Sequence, residues 1–269
     1  CAAWPGRGLL EHLEEGVGRH HRLCGVSNAL ITNPQNYTFT NNMGSKVYLL
    51  YHSFTCDNDH HPRSAFHKNK YTIDIKNFEE QIALSYNKNA IYSFDDGHVS
   101  LYELAFPLID KYKVKSIAFI STKYIGQEHW LSASNIKELF KHGIDIGSHG
   151  VNHIRFTNIS DCQVKKELIN SKAYLEDLLG TPVNNFSFVG GFYDLRSIRI
   201  AKEVGYRYLY CSEPGIGINK KGLIRRVCIL SKTNTMQFKK IIQEKIGIKN
   251  LLRYHMLYHF RTLKERILY

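Results

Sequence analysis

Asn89-Ala90-Ile91-Tyr92-Ser93-Phe94-Asp95-Asp96-Gly97 is the stretch whose reading decides the fold. Asn89 to Phe94 reads as a short buried strand that Gly97 terminates. The adjacent carboxylates of Asp95 and Asp96 then stand at a strand's carboxyl end, where open sheets and α/β barrels keep their chemistry. Neighbouring strand residues point to opposite faces. A turn that begins at Asp96 nevertheless brings both carboxylates to one pocket, one to bind a cation and the other to handle a proton.

A second stretch repeats the arrangement. Ile144-Asp145-Ile146-Gly147 is another apolar strand ending in a turn, and Ser148-His149-Gly150-Val151-Asn152-His153 follows with histidines four apart. Two imidazoles and one carboxylate form a facial ligand set for zinc or a similar divalent ion, with positions left open for water and substrate. Either motif alone is commonly bland: Asp-Asp-Gly is usually a turn, and H-x-x-x-H often caps a helix or lies solvated. Each following its own strand, in this order, they point together to a metal-dependent hydrolase.

Around these motifs the apolar segments alternate. Strands are expected at 46–52, 90–94, 115–121, 144–148, 185–189, 206–212 and 226–230, and helices at 77–86, 99–112, 132–142, 161–179 and 195–204. This order argues for an α/β fold, a mainly parallel sheet covered by helices, though periodicity does not separate an open sheet from a barrel. Leu101, Leu104, Ala105, Leu108 and Ile109 form one apolar helical stripe. Val164, Leu168, Ile169, Leu175 and Leu178 form another, on a helix that starts near Ser160-Asp161 and stops at Gly180-Thr181-Pro182. With 269 residues and 43% hydrophobic content, the chain builds one sizeable core or one domain with appendages, and no apolar run is long enough to span a bilayer.

The two motifs resemble those of the polysaccharide deacetylases that share the NodB-homology domain. Phe94-Asp95-Asp96-Gly97 stands at that family's T-F-D-D-G and Ser148 to His153 at its H-[ST]-x-x-H, and the resemblance covers about Lys46 to Leu230. It implies a distorted, incomplete (β/α) barrel, with Asp96, His149 and His153 holding a divalent metal, zinc first, and Asp95 as general base. Val47-Tyr48-Leu49-Leu50-Tyr51-His52 resembles the L-x-Y-H strand of the poly-N-acetylglucosamine deacetylase branch, in which the barrel is circularly permuted. That makes His52 the expected general acid. The last strand, Arg226-Val227-Cys228-Ile229-Leu230, carries no histidine, which favours the permuted assignment. The implied reaction is removal of N-acetyl groups from an N-acetylhexosamine glycan, polymeric or lipid-linked, with release of acetate.

Two departures from the family pattern matter. In Phe186-Ser187-Phe188-Val189-Gly190-Gly191-Phe192-Tyr193-Asp194, Val189 replaces a proline. Many relatives also have an arginine near this segment that orients the base aspartate, and none stands at that position here. Arg196 and Arg199 follow on a helix and read as surface charges.

Outside the domain at 43–235, residues 1–42 form an atypical extension without lysine, and Met43 reads as a natural start. No signal peptide is recognisable, which favours a cytoplasmic or membrane-peripheral protein, or a secreted one if the amino terminus is truncated. Residues 236–269 mix apolar and basic residues as a basic amphipathic helix does, suited either to an anionic membrane surface or to docking on the barrel. Six scattered cysteines without a C-x-x-C pair argue against a disulfide framework, and Cys211 and Cys228 read as small buried hydrophobes. Asp57, Asp59, His60 and His61 read as a solvated loop, and Trp130 as a packing residue before a sugar platform. A net charge of +12 is dispersed before it concentrates in the tail, so no nucleic-acid partner is expected. A non-catalytic protein binding glycan, lipid headgroups or RNA on the same scaffold is the alternative, and the intact Asp95, Asp96, His149 and His153 favour catalysis over it.

Overall fold

Val47–Tyr51, Ala90–Phe94 and Ser116–Ile120 are buried at every position, the pattern of parallel strands covered on both faces. The computed structural model describes residues 46–56 and 70–243. In chain order it contains β1 (Val47–Tyr51), β2 (Ser53–Thr55), β3 (Thr72–Asp74), α1 (Ile75–Ser85), β4 (Ala90–Phe94), a π turn (Leu101–Ala105) that runs into α2 (Phe106–Tyr112), and β5 (Ser116–Ile120). There follow α3 (Ala133–Lys141), β6 (Asp145–Ser148), α4 (Asp161–Leu179), β7 (Asn185–Ser187), α5 (Leu195–Glu203), β8 (Tyr208–Tyr210), β9 (Val227–Cys228) and α6 (Thr235–Ile242).

Seven of these strands form one sheet in the order β8-β7-β6-β5-β4-β1-β9, and every pairing is parallel. The sheet curls into an incomplete barrel. Just before β9, Ile224 bridges Tyr210 of β8, while β9 itself pairs with β1 through Leu49–Val227 and Leu50–Cys228. The last segment therefore draws the two sheet edges together. A separate two-stranded parallel sheet, β2 with β3, was not expected from the sequence.

Alternation along the strands divides the core in two. Val47, Leu49, Tyr51, Tyr92, Phe94, Ala118 and Ile120 join the large cluster with the helices, whereas Tyr48, Ile91, Ile117, Phe119, Tyr210 and Ile224 form a smaller one on the sheet's other face. This smaller cluster is the apolar floor beneath the site.

Local chemistry sets the helix ends. Ser160 and Gln163 form a capping box at the start of α4, and Gly180, at φ 67°, ends it in the left-handed conformation. On α4, Val164, Leu168 and Leu175 are buried as expected, but Ile169 is 43% exposed, and Glu167 and Ser171 take the inward positions instead. The expected 99–112 helix begins with the π turn, and Leu101, Ala105 and Ile109 are its buried residues. Trp130 stacks on Tyr124, ring centroids 4.6 Å apart, and meets His98 edge-on.

α6 opens the basic tail and buries Phe238 completely, with Ile241 and Ile242 packed against the core. Residues 1–42, the Asp57–His61 loop and the tail beyond 243 lie outside the described residues. Among the described residues no helix is long and apolar enough to cross a membrane. Among the described residues, Cys56, Cys162 and Cys211 are free thiols.

Candidate active site

The site lies at the carboxyl ends of the strands. Ser93 points to the concave side of β4, so Asp95, two residues on, does as well, and its amide donates to Tyr51 O at 3.0 Å. Asp96 would then face away, but it adopts φ 79° and Gly97 φ 89°, which turns the second carboxylate into the same pocket. A side chain at Gly97 would combine that left-handed backbone with a 3.3 Å contact to Ile120 Cδ1. His153 is likewise left-handed, at φ 54°. Such conformations cost on the order of 1–3 kcal/mol each in a non-glycine residue and persist where surrounding contacts over-determine them.

Asp96 and the two histidines of the 149–153 turn converge. Asp96 Oδ1 lies 3.4 Å from His149 Nε2 and 3.0 Å from His153 Nε2, and one ligand atom from each of the three residues falls within 4.8 Å of the others. Tetrahedral zinc with bonds of ~2.0–2.1 Å separates its ligand atoms by roughly 3.3 Å, so these side chains fit a divalent ion. The far nitrogen of His149, Nδ1, donates to Ser187 O at 2.8 Å, so Nε2 is the nitrogen facing Asp96: it donates to the carboxylate while the ring is protonated and offers its lone pair to an ion once the ring is neutral. Burial opposes ionisation of Asp96, but hydrogen bonds from the two imidazoles outweigh it and hold the carboxyl well below the usual range. Burial also opposes a charge on His149, and the nearby Asp95 and Asp96 outweigh that, raising its pKa.

Asp95 is held by a residue that sequence reasoning missed. Arg226, fully buried at the start of the last strand segment, donates from Nη1 to Asp95 Oδ1 at 2.6 Å and from Nη2 to Asp95 Oδ2 at 2.8 Å. Its remaining donors reach Ser187 Oγ at 2.7 Å and Cys211 O at 3.1 Å, and the guanidinium carbon lies 5.2 Å from the Phe119 ring centroid. Ser187 Oγ in turn donates to Asp95 Oδ2 at 3.2 Å. Burial would raise the Asp95 pKa, but Arg226, with His149 and His52, more than offsets it and holds the group below the usual carboxylate range. The aspartate-orienting arginine sought near Val189 thus comes from the other end of the domain. Arg196 and Arg199 lie away from the site and pair with Asp161 on the surface.

His52 follows β1 and lines the same cleft of about 470 Å³ as Asp95, Asp96, His149 and His153. Its ring packs on Tyr71 at 4.7 Å, and its Nδ1 is buried without a hydrogen-bond partner among the described residues. Burial, the dominant influence, lowers its pKa despite the two aspartates. Val189, Arg155 and Cys228 complete parts of the wall, so Cys228 is a cleft residue, half-buried, rather than the buried hydrophobe expected.

Comparison with known proteins agrees with this architecture. Residues 85–209 match the family model described as polysaccharide deacetylase. A Bacillus subtilis (strain 168) protein named as a polysaccharide deacetylase, YxkH, is 29% identical over 189 residues, 65% of this chain and 67% of that protein. The poly-beta-1,6-N-acetyl-D-glucosamine N-deacetylase of Staphylococcus aureus (strain MSSA476) is 24% identical over 135 residues, 45% of this chain and 47% of its own length. The matched stretch thus spans about half of that staphylococcal relative. Among solved structures, the Streptococcus pyogenes deacetylase PplD in complex with acetate superposes with a TM-score of 0.67 at 20% identity, covering 74% of this chain and 98% of that one. At that identity the likeness shows the fold.

Proposed function

Because the chain carries a polysaccharide deacetylase domain, we propose that it is a metal-dependent hydrolase that removes N-acetyl groups from an N-acetylhexosamine glycan and releases acetate. The convergence in one cleft of a carboxylate–imidazole ligand set, a carboxylate locked by a buried arginine, and a third histidine carries this reading.

Asp96, His149 and His153 would hold the divalent ion, zinc first. When bound, the ion supplies Lewis-acid chemistry, polarising the amide carbonyl and acidifying water. Asp95 is the base. Arg226 and Ser187 fix its carboxylate and keep it ionised, so it accepts the proton of the water that attacks the carbonyl. His52 is the acid: the departing sugar nitrogen leaves as an amine once it takes the imidazole's proton. Acetate and a free amino sugar result. The resemblance to a poly-N-acetylglucosamine deacetylase supports a polymeric substrate.

Purified protein should release acetate from oligomers of β-1,6-linked N-acetylglucosamine. Asp95→Asn should retain bound metal while losing most turnover, on the order of the 10²–10⁴-fold that a general base contributes. Parent-level turnover by Asp95→Asn would overturn the assignment of the base.

A further inference from the structure

The turn carrying His149 and His153 is held by one side chain of α4. Glu167 is buried, 6% exposed, and among the described residues its carboxylate is held by hydrogen bonds and not by an ion pair. Its Oε2 accepts from the backbone amides of Val151 at 2.8 Å and Asn152 at 2.9 Å, and its Oε1 accepts from Asn152 Nδ2 at 2.5 Å. All three donors lie between the two histidines. Gly150 permits the approach, since a Cβ there would lie 3.2 Å from Glu167 Oε2 on a backbone at φ 83°. The same helix reaches the turn again through Ser171, whose Oγ accepts from Ser148 Oγ at 2.7 Å, while Ser148 Oγ accepts from the Gly150 amide at 3.1 Å.

We propose that Glu167 is a positioning residue that clamps the 149–153 turn so that His153, on its left-handed backbone, stays aimed at Asp96. The inference rests on the ligand roles proposed above. A buried carboxylate costs free energy unless it is fully hydrogen-bonded, and here every donor belongs to that turn. The two backbone bonds fix the peptide planes just before His153 and offset the strain of its φ. Without them the turn relaxes, His153 leaves the arrangement in which its Nε2 is 3.0 Å from Asp96 Oδ1, and the ligand set opens. Glu167 touches neither substrate nor reacting atoms.

Two measurements on the full chain test this, with Leu175→Ala as a control that opens a cavity on the same helix without touching the carboxylate. In metal-free protein, amide hydrogen exchange at Val151 and Asn152 should quicken in Glu167→Ala by at least tenfold beyond its effect in Leu175→Ala. In zinc competition against a fluorescent chelator, Glu167→Ala should weaken affinity roughly 10–100-fold, the range for partners that orient ligands. Leu175→Ala should bind zinc as the parent does. Glu167→Gln should fall between, because its carbonyl oxygen keeps both backbone bonds while its amide faces the Asn152 amide. Unchanged exchange in Glu167→Ala, or zinc affinity equal to that of Leu175→Ala, would overturn the proposal. A parent chain that binds no zinc would overturn the ligand roles instead, and with them the positioning role, leaving faster exchange as evidence of a structural clamp alone.

Discussion

Replacing Arg226 with methionine keeps an unbranched apolar stem but ends short of Asp95 and removes the charge that faces it. In the parent, two charge-assisted hydrogen bonds of 2.6 and 2.8 Å join a fully buried guanidinium to a carboxylate that is 3% exposed. Removing one partner of such a pair leaves an uncompensated buried charge and costs about 3–5 kcal/mol. Asp95→Asn, which strands the guanidinium, should cost a similar amount. The double variant leaves no buried charge behind, so its loss should fall short of the sum by roughly 1–3 kcal/mol. The pH dependence changes as well. In the parent, Asp95 titrates below its unfolded value, so its stabilisation is present above the unfolded pKa and is lost as pH falls through the folded one. Without Arg226, burial is opposed only by His149 and His52 and that pKa moves up, so the loss of stability on acidification should shrink. Urea unfolding of metal-free protein, followed by circular dichroism at several pH values, measures both effects. Additive single and double variants, or Arg226→Met as stable as the parent, would refute the account of how the base is held.

Other outcomes follow from single sites. Burial pushes Asp145 up from 3.8 to about 6, so its ionisation opposes folding: parent stability should drop as pH rises from about 4 to about 6. Asp145→Asn should lack that drop and be more stable above neutrality by roughly 1–3 kcal/mol, the upper end being the full shift without discount for its partial exposure; a parallel pH profile in unfolding experiments would contradict this. His52→Gln should lose about 10²–10⁴-fold in turnover with metal content unchanged, and near-parent acetate release would exclude His52 as the acid. Phe238→Ala should cost about 3–5 kcal/mol in urea unfolding, because the ring is fully buried where α6 meets the core; a cost below 1 kcal/mol, about the size of a surface change, would mean α6 is not docked in solution.

What was legible in the sequence was local. Asp95-Asp96-Gly97 and His149 to His153 each sit directly after a strand, so the strand's end locates the chemistry and the parallel βα order places those ends together. The left-handed Asp96 was anticipated as a turn because Gly97 follows it. Arg226 was not legible, since it lies 131 residues from Asp95 and meets it only through the pairing of Leu49 with Val227. Its one local signal is an arginine leading an apolar strand, where a solvated charge is unexpected. On α4, the buried positions Val164, Glu167, Leu168, Ser171 and Leu175 follow the helical period, but two of them are polar. Reading hydrophobicity alone therefore put Ile169 inside and overlooked Glu167. The short β2 and β3 strands pair across a long intervening segment, which no window of a few residues can reveal.

Titration of metal-free protein with zinc, with acetate release from an N-acetylglucosamine oligomer recorded at each addition, tests the central claim most directly. Activity should rise from near zero and level off at about one equivalent, as a single ion held by Asp96, His149 and His153 requires, and His149→Ala and His153→Ala should show no such rise. Full acetate release by the metal-free protein, or an undiminished rise in either histidine variant, would contradict it.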